Sequence, residues 1–275
     1  MNKISTPTFI YGTAWKGNAT TELVKKAVRH GFTAIDTANQ PKHYSESLVG
    51  DAIDALQQEG VKRTDLFLQT KFTSGNGQDT RIPYDPNTDY TTQVNTSFKS
   101  SLEHLKTDYV DAYLLHGPYS WPDLVAADWE VWHAIETLYH SGQAKLIGVS
   151  NVNIRQLELF VQNAKIKPMI VQNRCFAAQG WDQPVREFCL ANNIIYQGFS
   201  LLTANPEIVQ SSQVAEIAKR LGKTPTQIIF RFAMHIGILP LTGTTNEEHM
   251  QIDLQCTDFE LTSAEKKVIE TLSET

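Results

Sequence analysis

Short apolar runs and longer segments whose apolar positions recur three and four apart alternate along the whole chain. The runs TFIYG, FTAID, DLFLQTK, DYVDAYLLH, AKLIGVS, PMIVQN, IIYQGFS and ILPLTG are largely continuous, the pattern of strands covered on both faces. A helix-like segment follows each. In TTELVKKAVRHG, Leu23, Val24 and Ala27 share one face and Gly31 stops the helix. ESLVGDAIDALQQEG, YTTQVNTSFKSSLEHL, DWEVWHAIETLYHSG, IRQLELFVQNA, PVREFCLANN, the pair SSQVAEIAKRLG and TPTQIIFRFAMHIG, and NEEHMQIDL continue the series. A last helix, TSAEKKVIETLSE, opens on Thr262 as N-cap, with Glu265 completing a capping box. Eight strand–helix alternations predict a parallel sheet closed on itself, an α/β fold of the (β/α)8 type, in one domain spanning residues 1–275. The long irregular stretch, residues 73–89, follows the third strand and is expected over the barrel mouth.

Composition narrows the function classes. At 275 residues, 41% hydrophobic and 20% charged, the chain suits one sizeable core. A net charge of −6 without any Lys/Arg block disfavours nucleic acid. No run approaches eighteen apolar residues, so no membrane span is expected. The start, MNKISTPTFIYGTAW, lacks the layout of a secretory leader. Cys175, Cys189 and Cys256 are odd in number and without metal-like spacing, which predicts reduced thiols in a cytoplasmic protein. None of the eight histidines forms an H-x-H pair, so a metal-dependent hydrolase is disfavoured and no metal is expected. The expected state is a monomer or weak homodimer acting on a small molecule.

Four polar residues, Asp36, Tyr44, Lys71 and His116, each fall at or after the end of an apolar run. In a parallel barrel they converge at one mouth. A phenol is a poor acid near neutral pH unless a cation stabilises the phenolate. Lys71 is placed to do so: at ~4 Å and an effective dielectric of ~20 the attraction is about 4 kcal/mol, enough to lower the phenol's pKa substantially. Asp36 would pair with the buried lysine. His116 would donate to a substrate oxygen and aim it at Tyr44. Such a set protonates a carbonyl oxygen while a reductant attacks its carbon.

The strings GTAW, AIDTANQPKHYSESLVGDAI, LFLQTKF, DYVDAYLLHGP, IGVSN, VQN and DFELTSAE, in order over essentially the whole chain, resemble the aldo-keto reductase superfamily. The resemblance implies a TIM barrel and NAD(P)H-dependent reduction of aldehydes or ketones, with Asp36, Tyr44, Lys71 and His116 as the catalytic set and Tyr44 as the acid. It implies cofactor contacts at Thr13 and Asp36, at Ser150, Asn151 and Gln172 for the carboxamide, at Phe199 for stacking, and at Ser200 and Leu201 for the pyrophosphate. Gly243, Thr244, Thr245, His249 and Asp253 fall at the adenosine end, and Trp15, His43, Phe176 and Trp181 are expected to line the substrate pocket. Three departures stand out. Asp36 and Tyr44 are eight apart rather than five. The family's Lys, Ser, Arg and Asn at the adenosine end align with Gly243, Thr244, His249 and Asp253, which removes the fixed cations but leaves a helix N-terminus suited to an anion. NADPH is expected, with NADH or dual use open. The chain also stops soon after the start of its last helix, which predicts an open mouth. The alternative is a non-catalytic NAD(P)H-binding sensor or regulatory subunit on the same fold.

Overall fold

The computed structural model describes residues 7–274. Residues 1–6, where the stretch read for a leader begins, lie outside them. The strands are β1 (Ile10–Gly12), β2 (Ala34–Asp36), β3 (Phe67–Phe72), β4 (Val110–Leu115), β5 (Ala144–Ser150), β6 (Ile170–Arg174), β7 (Ile195–Phe199) and β8 (Leu239–Thr242). They close into a barrel in chain order, each parallel to the next, with β8 paired to β1. The expected (β/α)8 architecture is the observed one.

Alternation along each strand sorts side chains between two cores. Ile10, Ala34, Phe67, Ala112, Leu114, Ile170 and Leu241 pack together inside the barrel, against Leu146, Ile195, Phe199 and Leu239. The intervening Tyr11, Ile35, Leu68, Phe72, Tyr113, Leu115, Ile147, Val149, Val171 and Tyr196 pack into the shell under the helices. Each Leu, Ile or Phe buried in this way contributes about 1.5–3 kcal/mol. Two residues above an inward apolar position comes an inward polar one: Asp36 after Ala34, Gln69 after Phe67, Gln172 after Ile170, Gln197 after Ile195, with Lys71 a further two above Gln69. Register sets these side by side, with Asp36 opposite Gln69 and Gln172 opposite both Ser150 and Gln197. Gly148 permits the close approach of β5 to β6, because a Cβ there would stand 2.3 Å from the Ile170 carbonyl oxygen.

The helices form where the pattern places them. Thr20–Arg29 buries Leu23, Val24 and Ala27, and Ser263–Thr271 carries the Thr262/Glu265 capping box. Two features were not legible: a short helix, Pro206–Val209, and a turn over Ala177–Asp182 in which Gly180, Trp181 and Asp182 all have positive φ. The 73–89 stretch is anchored by Tyr84, buried and stacked on Phe72. Among the described residues no helix is long and apolar enough to cross a membrane.

Candidate active site

A cavity of about 940 Å³ opens at the carboxyl ends of the strands. Behind the lining residue Asp36, Lys71 is 0% exposed. Its ammonium donates to Asp36 Oδ1 at 2.6 Å, Asp36 Oδ2 at 2.8 Å and the Thr37 carbonyl at 2.8 Å, which occupies all three N–H groups. Asp36 Oδ1 also accepts from Gln69 Nε2 at 2.6 Å and Gln172 Nε2 at 3.0 Å. Gln197 closes the network: its Oε1 accepts from Gln69 and Gln172, and its Nε2 donates to Gln69 Oε1. A buried ion pair is tolerable only when its hydrogen-bonding capacity is met; Gln69 and Gln172 donate to it here, and Gln197 holds both of them.

The extra residues between Asp36 and Tyr44 fold into a turn, in which the amides of His43 and Tyr44 both donate to the Gln40 carbonyl. The turn brings Tyr44 to the cavity wall, its ring centre 5.4 Å from Lys71 Nζ and 6.0 Å from the His116 ring. One expectation is overturned here. Burial raises the phenol's pKa and the Asp36 carboxylate adds to the rise. A lone cation facing the ring would oppose this. The opposite charge paired with that ammonium cancels most of the effect, and no N–H of Lys71 remains for the phenol oxygen. Burial lowers the pKa of Lys71 itself, against the pull of Asp36.

His116 lines the same wall, with Nδ1 2.7 Å from the Thr73 hydroxyl. Burial, with Lys71 and His43 nearby, holds its pKa well below the ordinary histidine value, so the ring is neutral. Trp15, 74% exposed, stacks on His43 with ring centres 4.0 Å apart, and both form the rim.

Ser150, Asn151, Gln172, Phe199, Ser200 and Leu201 all line the cavity. Asn151, in the left-handed region, donates to the His116 carbonyl at 2.8 Å. Because Asp36 and Gln197 Oε1 are acceptors, the Gln172 amide must turn its NH2 inward. Its Oε1, with no donor among the described residues, is left as an acceptor for an amide NH2, such as a carboxamide presents. Thr13 does not line the cavity; it is buried, its hydroxyl bonded to the Asp36 carbonyl at 2.9 Å.

At the far end Gly243, Thr244, His249 and Asp253 line the cavity, whereas Thr245 is exposed outside it. The helix that follows, Glu247–Leu254, offers an anion little: Asn246 Oδ1 already accepts from the amides of Glu248 and His249, and Glu247 and Glu248 occupy the first turn. Burial raises Asp253 to about 6, while the Thr242 hydroxyl, donating at 2.9 Å, works against that rise.

Two cations were missed. Lys16 lines this end and donates to the Gly243 carbonyl, beside the space a side chain at 243 would enter. Arg174, at the end of β6, also lines the cavity, 3.3 Å from Ser200 Oγ. The clue to Lys16 was its place directly after Trp15, and to Arg174 its inward phase two residues past Gln172. Two pocket expectations fail. Trp181 is 0% exposed and packs on Phe232, because the run of positive φ swings it into the core. Phe176 begins that same turn, half-buried outside the cavity lining. Among the described residues no cluster of three or more His, Cys, Asp or Glu is arranged to hold a metal ion.

The sequence model of the Aldo/keto reductase family matches residues 10–205. A Bacillus subtilis (strain 168) protein, the uncharacterized oxidoreductase YtbE, is 32% identical over 260 residues, 94% of this chain and 85% of that protein. Glyoxal reductase of the same strain is 30% identical over 258 residues, 94% of this chain and 84% of that one. The crystal structure of MGS-M4, an aldo-keto reductase enzyme from a Medee basin deep-sea metagenome library, superposes with a TM-score of 0.82 at 27% identity, covering 98% of this chain and 92% of that one.

Proposed function

The chain belongs to the aldo/keto reductase family, oxidoreductases acting on carbonyl compounds, and from that premise we propose that it reduces small aldehydes and ketones to alcohols with Tyr44 as proton donor. The observation that carries the reading is the convergence of Tyr44, His116 and Asp36 on one cavity wall, with Lys71 paired to Asp36 behind it. A reduced nicotinamide dinucleotide bound along the cavity would supply the hydride. Gln172 and Asn151 would hold its carboxamide, Phe199 its ring face, and Ser200, Leu201 and Lys16 its phosphates.

The residues of the chain do the rest. Neutral His116 donates through Nε2 to the carbonyl oxygen, which polarises it and fixes its direction. Tyr44 keeps its proton across the neutral range because burial disfavours the phenolate. The oxygen of a carbonyl gaining hydride becomes a far stronger base than a phenolate, so the proton moves from the Tyr44 hydroxyl to that oxygen. Lys71, its charge compensated by Asp36, holds the buried end of the site in place rather than making Tyr44 a strong acid.

NADPH is the proposed cofactor, with weak discrimination against NADH: Lys16 is the fixed cation lining the Gly243 end, and Asn246 already occupies the helix amides there. Trp15 and His43 would form an open rim suited to small carbonyls. The test is oxidation of NADPH and NADH by wild type and Tyr44→Phe with small aldehydes, α-ketoesters and sugars. Turnover in wild type that falls by about 10²–10⁴ in the variant is expected. Cofactor binding without turnover in wild type would make the protein a sensor instead.

A further inference from the structure

The Thr73 hydroxyl lies 2.7 Å from Nδ1 of His116, and among the described residues that nitrogen is its sole partner. Thr73 is 3% exposed and held from three sides. Its carbonyl accepts from the Tyr84 hydroxyl at 2.7 Å and from Gln78 Nε2 at 3.4 Å. Its methyl lies against Gly77, where a Cβ would stand 2.7 Å from Thr73 Cγ2. That glycine is tied in turn to the turn carrying Tyr44, since Gln40 Nε2 donates to the Gly77 carbonyl at 2.6 Å and Gln78 Nε2 to the Asn39 carbonyl at 2.9 Å. The 73–84 segment and the extra residues before Tyr44 thus form one bracket, and it leaves the Thr73 hydroxyl directed at His116.

A neutral imidazole carries its proton on one nitrogen only. If Nδ1 held it, Thr73 would accept, and the buried hydroxyl hydrogen would have no acceptor among the described residues. If Thr73 donates, both groups are satisfied and the ring proton sits on Nε2. We propose that Thr73 is a positioning residue: its hydroxyl donates to Nδ1 and holds His116 as the Nε2–H tautomer in a fixed ring plane, so that Nε2 donates to the substrate's carbonyl oxygen. The inference rests on the role proposed for His116. It gives the 73–84 segment a task in the chemistry beyond covering the mouth.

The test is long-range ¹H–¹⁵N correlation NMR on ¹⁵N-histidine-labelled protein, with His116 assigned by loss of its signals in His116→Gln. Wild type is expected to show Nδ1 unprotonated and Nε2 protonated, with no second form. Thr73→Val should populate both tautomers and lower kcat and kcat/KM together by about tenfold, the equivalent of about 1.4 kcal/mol. The cofactor Kd, read by fluorescence, should stay unchanged, and Thr73→Ser should restore tautomer and rate. A proton on Nδ1 in wild type, two tautomers in wild type, or a Thr73→Val rate loss without a tautomer change would each overturn the proposal. Full turnover in His116→Gln would instead overturn the role of His116, and the wild-type tautomer would still judge the Thr73 contact.

Discussion

At the β2–β3 end of the cavity every donor of the Lys71 ammonium is occupied and two glutamines brace its partner. At the β8 end Gly243 and His249 are exposed, and the facing cation, Lys16, arrives from the loop after β1. The first region is strand-borne and buried, so its geometry is set by the barrel's register. The second is loop-borne, so its contacts depend on local turns. Proton chemistry needs the first kind of precision, whereas gripping a phosphate tolerates the second.

The largest expected effect breaks the buried end. Lys71→Met would leave the Asp36 carboxylate buried without its cation and should cost about 3–5 kcal/mol in urea unfolding. Adding Asp36→Asn should recover much of that loss, because no charge is then stranded; a double variant no more stable than Lys71→Met would contradict the pairing. Next is the buried acid at the other end. Asp253 is raised from 3.8 to about 6 in the fold, so the folded state holds its proton more tightly than the unfolded chain. Its contribution to stability is whole below about pH 4, declines as pH rises and is gone above about pH 6. Asp253→Asn should therefore match wild type at acid pH and be more stable by up to about 3 kcal/mol at pH 8, read by thermal unfolding at both pH values. The smallest effect sharpens the contrast: Lys16→Met should weaken NADPH binding by about five- to tenfold, roughly 1 kcal/mol, and flatten its salt dependence, with little change in folding stability.

The barrel was legible because continuous apolar strands and amphipathic helices leave different periodicities. Asp36, Lys71 and His116 were legible for a related reason, since each ends such a run. Tyr44 sits in a turn whose three extra residues obscured its distance from Asp36, and only the Gln40 hydrogen bonds show how it reaches the cavity. Gln69 and Gln197 carry no such mark, because each stands inside an apolar run rather than at its end. The inward phase they share with Lys71 and Phe199 was the available signal. Trp181 was misplaced because a hydrophobic pattern carries no sign of φ, and three successive left-handed residues turn it into the core. The direction of the Tyr44 shift was also misjudged: a sequence shows that a lysine is near, but not that its charge is already compensated.

The pH dependence of single-turnover carbonyl reduction, in wild type and Tyr44→Phe, bears most directly on the proton donor. A buried phenol that keeps its proton gives a rate independent of the acid's ionisation from about pH 6 to 9, with the variant slower by about 10²–10⁴ throughout. A variant as fast as wild type, or a wild-type rate that falls through neutral pH with an ionisation missing from the variant, would contradict it.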